Sequence, residues 1–435
     1  MPTPQALLDA LGSAAPLQGG YLTAIRGLLA EARGLDIPVG GLAEIETPGG
    51  FFPAEVVGFR SDHLQLMSLS TPRGIEPGCR VWTLARSATV PVGDFLFGRV
   101  IGAMGQPIDD GPPFPVAERA ALYRDPIPAL KRPVLSEPLD VGVRSVNATT
   151  TLARGQRIGL FAGTGVGKTT LLGMMARGTD ADVRVLALIG ERGREVREFI
   201  DRDLGEARHN TIVVAVPSDC SPLLRTRGAY VATAIAEYFR DRGKNVLLLV
   251  DSITRFAFAA REIGLARGEP ATTKGYTPSV FAELPTLVER VGKLEHGSIT
   301  AIYSVLVEGD DLGDPVADAM RGLLDGHIVL SRDLAERGHF PAVDVLGSIS
   351  RAMVVVAEPE HRDLAARMRR LMAAYRDAED LIQVGAYAKG SDPVIDEAIR
   401  RRPAIETFLQ QEATEAVPMT GLVNELSRIM TGDVH

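Results

Sequence analysis

Residues 157–170 read RIGLFAGTGVGKTT and decide the fold. The apolar start of this stretch predicts a β-strand, and the residues LLGMM at 171–175 predict the first turns of a helix. Between them lies a glycine-rich loop that ends in Lys168 and Thr169, with Ala162 where the strict form of the pattern has glycine. A strand, such a loop and a helix in direct succession predict a cradle for phosphate groups.

The chemistry of the loop follows from its residue types. Glycines and small residues let consecutive backbone N–H groups point at phosphate oxygens, and the N-terminus of the following helix adds its positive end. Lys168 is placed to reach the terminal phosphates, and the Thr169 hydroxyl is placed to ligate Mg²⁺. We therefore predict a nucleoside triphosphate site with Mg²⁺ as cofactor. The predicted nucleotide-binding residues are Gly163, Thr164, Gly165, Val166, Gly167, Lys168, Thr169 and Thr170.

Two later apolar runs predict buried strands that deliver acidic residues to the same place. Residues 183–189 precede Glu191 and Arg192, and residues 245–250 precede Asp251. The carboxyl ends of parallel strands meet at one edge of a sheet, where open α/β sheets bind ligands. Glu191 is the predicted general base or water-orienting residue, Arg192 the predicted phosphate contact and Asp251 the predicted magnesium anchor.

Each of these residues also has a structural alternative. Glu191 and Arg192 together are compatible with an ordinary surface ion pair, and Asp251 is compatible with the N-cap of a helix that covers residues 254–257. The sequence leaves both alternatives open.

Four further stretches carry a resemblance to a known family. They read GERGREVREF at 190–199, DSITRFA at 251–257, VEGDDL at 307–312 and FPAVDVLGSISR at 340–351. In this order, over about residues 20–410, they resemble the ATPases of flagellar and virulence type III export systems. That family is similar to the catalytic subunit of rotary ATP synthases. The resemblance implies an enzyme that hydrolyses ATP and energises protein export.

The resemblance also implies a homohexameric ring with nucleotide between neighbouring subunits. In such rings an arginine of one subunit reaches the nucleotide of the next, and Arg351 matches that position. An arginine supplied in this way raises the rate of phosphoryl transfer by roughly 10³- to 10⁵-fold. The alternative for Arg351 is a salt bridge at the subunit interface.

The resemblance and the local patterns together predict an α/β fold. A RecA-like P-loop parallel sheet follows a small N-terminal β-barrel and precedes a C-terminal helical domain. Short alternating runs such as 54–59 and 64–67 are typical of an antiparallel barrel, and proline-rich stretches at 105–115 and 131–133 predict a stiff extended link. Residues 211–216 and 298–307 predict further strands, and residues 230–240 predict a helix between two of them. The predicted divisions are 1–19, 20–93, 94–350 and 351–435.

The predicted C-terminal domain contains an amphipathic helix. Its apolar residues recur at steps of three and four, so they fall on one helix face, and glycines near 385 and 390 mark a turn before another helix. This face packs a helical bundle or, as the resemblance suggests, belongs to a helix whose tip presses on a central stalk, with Glu379 and Asp380 as candidate contacts. At the other terminus, residues 6–11 form a short amphipathic segment, either a docking site for a regulator or a frayed end. The residues of the C-terminal face are Leu364, Met368, Leu371, Tyr375, Ala378 and Ile382.

Composition and charge exclude several classes of protein. The 435 residues carry a formal net charge of −8 and no basic stripe, which argues against a nucleic-acid binder. Cys79 and Cys220 are far apart and show no metal-ligand spacing, so reduced packing cysteines are expected. No signal peptide opens the chain and no apolar run approaches the roughly 20 residues that span a bilayer. We expect a cytoplasmic protein, at most peripheral at the inner face of the membrane.

Alternative functions share the same core. An injectisome ATPase is the nearest alternative to a flagellar one, and residues 384–393 look closer to flagellar members. A rotary synthase splits the duties of Lys168 and Arg351 between two different subunits, whereas this chain carries both. A hexameric nucleic-acid translocase needs a barrel with exposed aromatic and basic residues, and residues 20–93 carry a single tryptophan and few clustered lysines or arginines. A non-hydrolysing nucleotide-binding subunit is excluded only if Glu191 is catalytic.

The partners expected from the resemblance are other copies of the chain, a peripheral-stalk regulator, a central-stalk protein, export chaperones with their cargo, and the export gate.

Overall fold

The computed structural model describes residues 19–70, 74–115, 117–307, 309 and 313–432. The predicted docking segment at 6–11 and most of the VEGDDL stretch, residues 308 and 310–312, lie outside the described residues. Within the described part, the chain forms a barrel, a large sheet with helices on both faces, and a C-terminal group of helices. No helix in that part combines the length and the apolar character needed to cross a membrane.

The strands of the described residues are numbered in chain order. They are β1 (Gly19–Arg26), β2 (Leu29–Arg33), β3 (Leu42–Thr47), β4 (Gly50–Arg60), β5 (His63–Ser68), β6 (Arg80–Ala85), β7 (Thr89–Pro91), β8 (Val100–Ile101), β9 (Arg119–Ala121), β10 (Pro138–Leu139), β11 (Leu152–Ala153), β12 (Arg157–Ala162), β13 (Val183–Ile189), β14 (Thr211–Val216), β15 (Asn245–Asp251), β16 (Ser298–Leu306), β17 (Gly326–Leu330) and β18 (Val343–Ser350).

The α-helices of the described residues are numbered in the same way. They are α1 (Arg144–Thr149), α2 (Lys168–Gly178), α3 (Gly193–Glu198), α4 (Pro222–Arg240), α5 (Ile253–Ala266), α6 (Pro278–Val288), α7 (Pro315–Leu323), α8 (Arg332–Glu336), α9 (Met353–Val356), α10 (Pro359–Gln383), α11 (Pro393–Leu409) and α12 (Leu422–Thr431).

The first six strands close into the predicted antiparallel barrel, in the order β1-β2-β5-β4-β3-β6. Alternating side chains such as Val56, Leu66 and Val81 point inward and are fully buried, while Phe59 on the same strand as Val56 is exposed. The two alternating runs named from the sequence lie in β4 and β5, which pair with each other. Alternation therefore identified the barrel because one face of each strand is buried and the other is solvated.

The large sheet has the order β18-β17-β12-β16-β15-β13-β14-β8 and is parallel except for β18. Along β13, Val185 and Ala187 pack with α4 on one face, and Leu186 and Leu188 pack with α2 on the other. The prediction of a parallel sheet covered on both faces is confirmed for seven strands. The last strand differs because the chain leaves β17 and begins β18 beside it, with Leu330 opposite Val343, so β18 runs back antiparallel.

Helix α4 begins eight residues before its predicted start. The Ser221 hydroxyl accepts a hydrogen bond from the Leu224 N–H at 3.4 Å, and Pro222 occupies the first turn, so the helix has a capped start at residue 222. Gly228 interrupts the helical pattern in the sequence but not the helix. Its backbone packs so closely on β14 that an added Cβ would lie 2.5 Å from Cγ2 of Val216.

The predicted link between barrel and sheet is packed against the rest of the chain. Strand β8 pairs with β14 at the sheet edge, and Arg99 forms an ion pair of 2.7 Å with Asp109. A buried ion pair of 2.7 Å joins Glu55 of the barrel to Arg227 of α4, and the Tyr123 hydroxyl donates to Glu55 at 2.8 Å. Burial raises the pKa of Glu55, an effect that the Arg227 charge opposes.

The C-terminal helices pack as the apolar stripe predicts. Leu364, Met368 and Leu371 of α10 are buried against α11 and α12. The chain turns through Gly385 and Gly390, both with positive φ, before α11 begins at Pro393. Amphipathic periodicity therefore located both the helix and its buried face. The four divisions of the chain proposed from the sequence stay predictions.

Candidate active site

The glycine-rich loop joins β12 to α2 in the predicted manner. Gly165 and Gly167 have φ of 80° and 92°, in the left-handed region that favours glycine. Gly167 is the N-cap of α2 and offers no side-chain cap, and the first intrahelical hydrogen bond in this turn runs from the Leu171 N–H to the Gly167 carbonyl at 3.0 Å. The N–H groups that precede Leu171 in the helix are therefore available to an anion at the positive end of an eleven-residue helix.

The carboxyl ends of neighbouring strands bring a lysine and two acids together. The Lys168 ammonium donates a hydrogen bond to Asp251 and lies 3.8 Å from Oε1 of Glu191. The Ser304 hydroxyl of β16 donates to the same Asp251 carboxylate at 2.6 Å. Lys168 and Asp251 are both buried, at 9% and 2% exposed. The strand order places β12, β16, β15 and β13 side by side, so residues far apart in sequence converge here.

Glu191 has a raised pKa, which suits a group that accepts a proton. Burial raises its pKa to about 6, Lys168 acts against that rise and Asp251 adds to it. Its Oε1 is buried and forms no hydrogen bond with the described residues. The backbone holds the residue in place, because the Gly190 N–H donates to the Val216 carbonyl at 2.7 Å and the Ser218 N–H donates to the Glu191 carbonyl at 3.0 Å. An unpaired buried acceptor beside the loop is suited to orient a water molecule.

Asp251 does not cap the helix that follows it. The Ser252 hydroxyl occupies the N-cap position of α5 and accepts from the Arg255 N–H at 3.3 Å. The alternative of a capping role for Asp251 is therefore wrong, because this residue is the last of β15 and its carboxylate turns to Lys168 and Ser304. The carboxylate is thus part of the cluster beside the loop.

The residues at the loop fit a magnesium ion that is held mainly by phosphate and water. Thr169 lies in the first turn of α2 and is half-buried, with Asp251 and Glu191 beside Lys168. In the part of the chain that the structure describes, no group of three or more His, Cys, Asp or Glu residues is arranged to hold a metal. Magnesium in phosphate-transfer sites needs only one or two protein ligands and takes the rest from substrate and water.

Arg255 belongs to the site, although no role was predicted for it from the sequence. An added Cβ at Gly190 would lie 2.9 Å from Cβ of Arg255, so the arginine stem packs directly on the residue before Glu191. The Arg255 charge lowers the pKa of Glu191, and its Nε is buried without a partner. The signal was present in the DSITRFA stretch, where Arg255 lies in the first turn of the helix that follows Asp251.

A cavity of about 500 Å³ adjoins the loop next to α2. Phe340 lies at this cavity, and its ring comes within 3.8 Å of a Cβ built on Gly167. Met174 of α2 and residues 410–413 after α11 also line the space. The sequence predicted no role for the Phe340 ring in the FPAVD stretch, because only the folded chain brings residue 340 to the loop.

Arg192 lies outside the cluster around Lys168. Its side chain is 80% exposed and its guanidinium is 3.4 Å from Glu195, one helical turn away. The surface ion pair considered for Arg192 is thus formed, but with Glu195 and not with Glu191. A phosphate contact by Arg192 remains a prediction.

Arg351 lies at the opposite edge of the sheet from the loop. Strand β18 starts beside the carboxyl end of β17 and ends with Ser350 opposite Gly326, and Arg351 follows it with an exposed side chain. Seven steps of about 3.3 Å separate the two ends of β18, so they are roughly 23 Å apart. The Arg351 side chain of one subunit therefore cannot reach the Lys168 of the same subunit.

Two family models match the chain over separate regions. Residues 142–350 match the nucleotide-binding domain of the ATP synthase alpha/beta family. Residues 357–428 match the T3SS EscN ATPase C-terminal domain. The first region contains the cluster around Lys168, and the second contains α10, α11 and most of α12.

Relatives of known name cover nearly the whole chain. A flagellum-specific ATP synthase of Pseudomonas aeruginosa is 50% identical over 96% of this chain and 94% of its own length. A flagellum-specific ATP synthase of Salmonella typhimurium is 52% identical over 90% and 89%. A type 3 secretion system ATPase of Xanthomonas euvesicatoria is 48% identical over 90% and 89%. Among solved structures, the assembled ATPase EscN from the enteropathogenic E. coli type III secretion system matches with a TM-score of 0.90 and 43% identity, over 95% of this chain and all of that one.

Proposed function

The chain belongs to the family of flagellum-specific ATP synthases and type 3 secretion system ATPases, and from this premise we propose that it hydrolyses ATP to drive the export of flagellar proteins. The observation that carries the hydrolytic step is the buried cluster of Lys168, Asp251 and Glu191 at the glycine-rich loop. The flagellar assignment rests on the relatives, since the flagellum-specific ones are 48% to 52% identical and the type 3 secretion ones are 46% to 48% identical.

The residues take distinct roles in the proposed reaction. Lys168 and the N–H groups of the loop bind the terminal phosphates, and Oε1 of Glu191 accepts a hydrogen bond from the attacking water. As the water oxygen bonds to the terminal phosphorus, the bond to the bridging oxygen breaks, ADP leaves and the water proton passes to the carboxylate or to the phosphate. Glu191 works in its ionised form, which predominates above pH 6 because of its pKa.

Magnesium has a defined place in this proposal. The Thr169 hydroxyl and, through water, the Asp251 carboxylate would hold the ion, which would neutralise charge on the phosphates.

The catalytic pocket is completed by a second copy of the chain. Arg351 lies at the far edge of its own sheet and is flanked by exposed apolar side chains, Ile349 at 49%, Val354 at 64% and Val355 at 58%. Exposed apolar residues around an unpaired arginine fit an interface between subunits. We infer a homohexameric ring in which Arg351 stabilises charge on the nucleotide of the next subunit.

The cavity at Phe340 is the proposed site of the nucleotide base. It begins at Gly167 and Thr170, where the phosphate cradle ends, and its aromatic and apolar lining suits a planar ring. Phe340→Ala is expected to weaken ATP binding about tenfold through lost stacking, with a smaller effect on kcat. Titration with a fluorescent ATP analogue measures this, with the conservative Phe340→Tyr as control; unchanged affinity in Phe340→Ala would place the base elsewhere.

The tip between α10 and α11 is the proposed contact for a central stalk. Leu381 and Val384 are exposed at 52% and 75%. Glu379, one of the acids considered for this contact, is hydrogen-bonded to Arg337 within the subunit at 3.5 Å, so the apolar pair is the better candidate. The assembled EscN has also been solved in complex with its central stalk EscO, with a TM-score of 0.89 to this chain. The peripheral-stalk regulator, chaperones, export gate and peripheral membrane location stay part of the same proposal.

Two experiments test the proposed function. Glu191→Gln should bind ATP like the unaltered protein and lose turnover, and retention of turnover would refute the role of Glu191. A strain without the gene should lose flagellar filaments and grow normally on a non-fermentable carbon source. Normal filaments together with a loss of secreted virulence proteins would instead favour the injectisome, to which the EscN match also points.

A further inference from the structure

A second cavity, of about 360 Å³, adjoins the glycine-rich loop at Thr164. It shares no lining residue with the cavity at Phe340. Its described lining includes three cations, Arg255, Arg261 and Lys274, and a single acid, Asp314. The described lining beside the glycine-rich loop is thus positive on balance, in a chain of formal net charge −8.

The cations extend from the catalytic cluster to the surface. Arg255 is the inner one, since its stem packs on Gly190 and its Nε is a buried donor without an acceptor. Lys274 is the outer one, with a side chain that is 48% exposed. A buried donor that lacks a partner among the described residues is suited to bind an acceptor from outside the chain.

Arg261 is held in place by aromatic rings. Its guanidinium lies 5.0 Å from the ring centroid of Phe258 and 5.6 Å from that of Tyr276. Within the described residues it forms no ion pair with a carboxylate, so its charge is available to a ligand in the cavity. Cation–π contact fixes the guanidinium without neutralising it.

The single acid is already engaged. Asp314 is the N-cap of α7 and accepts from the Val316 N–H at 2.9 Å, and its other oxygen is 3.7 Å from Lys274. Among the described lining residues this acid faces the outermost cation, so the inner part of the described lining carries the charges of Arg255 and Arg261.

We propose that this cavity receives the inorganic phosphate released by hydrolysis and conducts it from the loop to solvent. The proposal rests on the proposed function. If the base occupies the cavity at Phe340, ADP blocks the loop on that side after the terminal bond has broken, so the phosphate leaves at the end where Glu191 and Arg255 lie. From there Arg255, Arg261 and Lys274 offer successive charge-assisted hydrogen bonds to a dianion.

Inhibition by inorganic phosphate tests the proposal. Arg261→Gln should raise the inhibition constant of phosphate against ATP hydrolysis about tenfold, because a charged donor is lost from the product site. Its rate of ATP cleavage in a single turnover, measured by acid quench, should change less than about twofold. Lys274→Gln should weaken phosphate inhibition by a smaller factor, since Lys274 is half exposed. Arg242→Gln is the matched control. Arg242 follows α4, and its guanidinium also lies over an aromatic ring, 3.5 Å from the ring centroid of Tyr238.

Three results would overturn the proposal. Unchanged phosphate inhibition in both Arg261→Gln and Lys274→Gln means that phosphate leaves by another route. A single-turnover rate that falls in parallel with steady-state activity means that Arg261 acts on the transition state. Loss of self-association in sedimentation means that the cavity receives a neighbouring subunit. Lys274→Gln keeps the test decisive if Arg261→Gln fails to fold, and absence of ATP hydrolysis in the unaltered protein would refute the proposed function instead.

Discussion

Glu191 carries a stability cost that follows from its buried position. Its side chain is 14% exposed and faces Lys168 at 3.8 Å, yet burial dominates and raises its pKa from 4.5 to about 6. The charged form of Glu191 that the proposed reaction needs is thus the form that the fold disfavours. Buried acids with raised pKa values cluster at functional sites for this reason.

Replacement of Glu191 by Gln should stabilise the nucleotide-free protein. The folded pKa lies above the unfolded value, so the stability linked to Glu191 is complete below pH 4.5 and is lost as the pH rises through about 6. Glutamine imitates the neutral form at every pH. We expect Glu191→Gln to raise the free energy of unfolding by about 2 kcal/mol at pH 8, and to have little effect near pH 4. Thermal or urea unfolding at the two pH values measures this difference.

The exposed carboxylate of Glu206 supplies the control. Glu206→Gln should leave the free energy of unfolding unchanged at both pH values. A Glu191→Gln variant that is equally or less stable at pH 8 would mean that the attraction to Lys168 outweighs the cost of burial.

At the scale of elements, helix α4 packs closely on β13 and β14, and the carboxyl end of β13 leads into the candidate active site. Helix α4 lies on β13 and β14 over the same face, and Gly228 packs directly against Val216 of β14 and Ile189 of β13. The sequence shows a glycine that weakens the helical pattern, and the structure shows that the glycine is needed for contact with Val216. Strand β14 in turn holds Gly190 through its Val216 carbonyl.

Gly228→Ala should therefore destabilise the protein, against the usual preference of helices for alanine. The added Cβ would lie 2.5 Å from Cγ2 of Val216 and 2.8 Å from Cδ1 of Ile189. Overpacking of this kind costs about 1 to 3 kcal/mol. Gly322→Ala in α7 is the matched control, because nothing lies within 4 Å of its added Cβ, and it should stabilise by about 0.5 to 1 kcal/mol. Melting temperatures of the two variants should move in opposite directions; a stabilised Gly228→Ala would contradict the packing argument.

At the scale of the whole molecule, the two halves of the proposed pocket lie at opposite edges of one sheet. Lys168 is at the carboxyl edge, and Arg351 follows the end of β18 at the other edge. Only a neighbouring copy can place Arg351 beside the proposed nucleotide site. The activity should therefore depend on protein concentration in the range where the ring assembles.

Mixing of two inactive variants tests this arrangement. Arg351→Ala keeps an intact loop and Lys168→Ala keeps an intact arginine. A junction in which Arg351→Ala supplies the loop and Lys168→Ala supplies the arginine therefore contains a complete pocket. Random mixing in equal amounts should restore activity at about a quarter of the junctions. The measurement is ATP hydrolysis of the mixture after disassembly and reassembly.

The double variant, Lys168→Ala with Arg351→Ala, provides the control. Mixed with Arg351→Ala it offers no intact arginine to any loop, so no activity should return. Equal activity of both mixtures, or none in either, would contradict a pocket shared between subunits.

Local patterns in the sequence determined the elements, their type and the family. Glycines at 163, 165 and 167 before Lys168 identified the loop between β12 and α2, and continuous apolar runs identified β13 and β15, because these signals lie within a few consecutive residues. The barrel, the central sheet, the C-terminal helices and the resemblance to type III export ATPases are all confirmed.

Tertiary structure alone decided which distant residues meet. It placed Arg255 against Gly190, brought Phe340 to the loop, gave the capping role to Ser252 and turned β18 antiparallel, which carries Arg351 to the far edge. The physical reason is that contacts between residues tens to hundreds of positions apart depend on strand order and close packing, whereas backbone propensity and hydrophobic periodicity act over one element. The sequence therefore identifies the chemistry of the phosphate cradle, and the fold determines which other groups surround it.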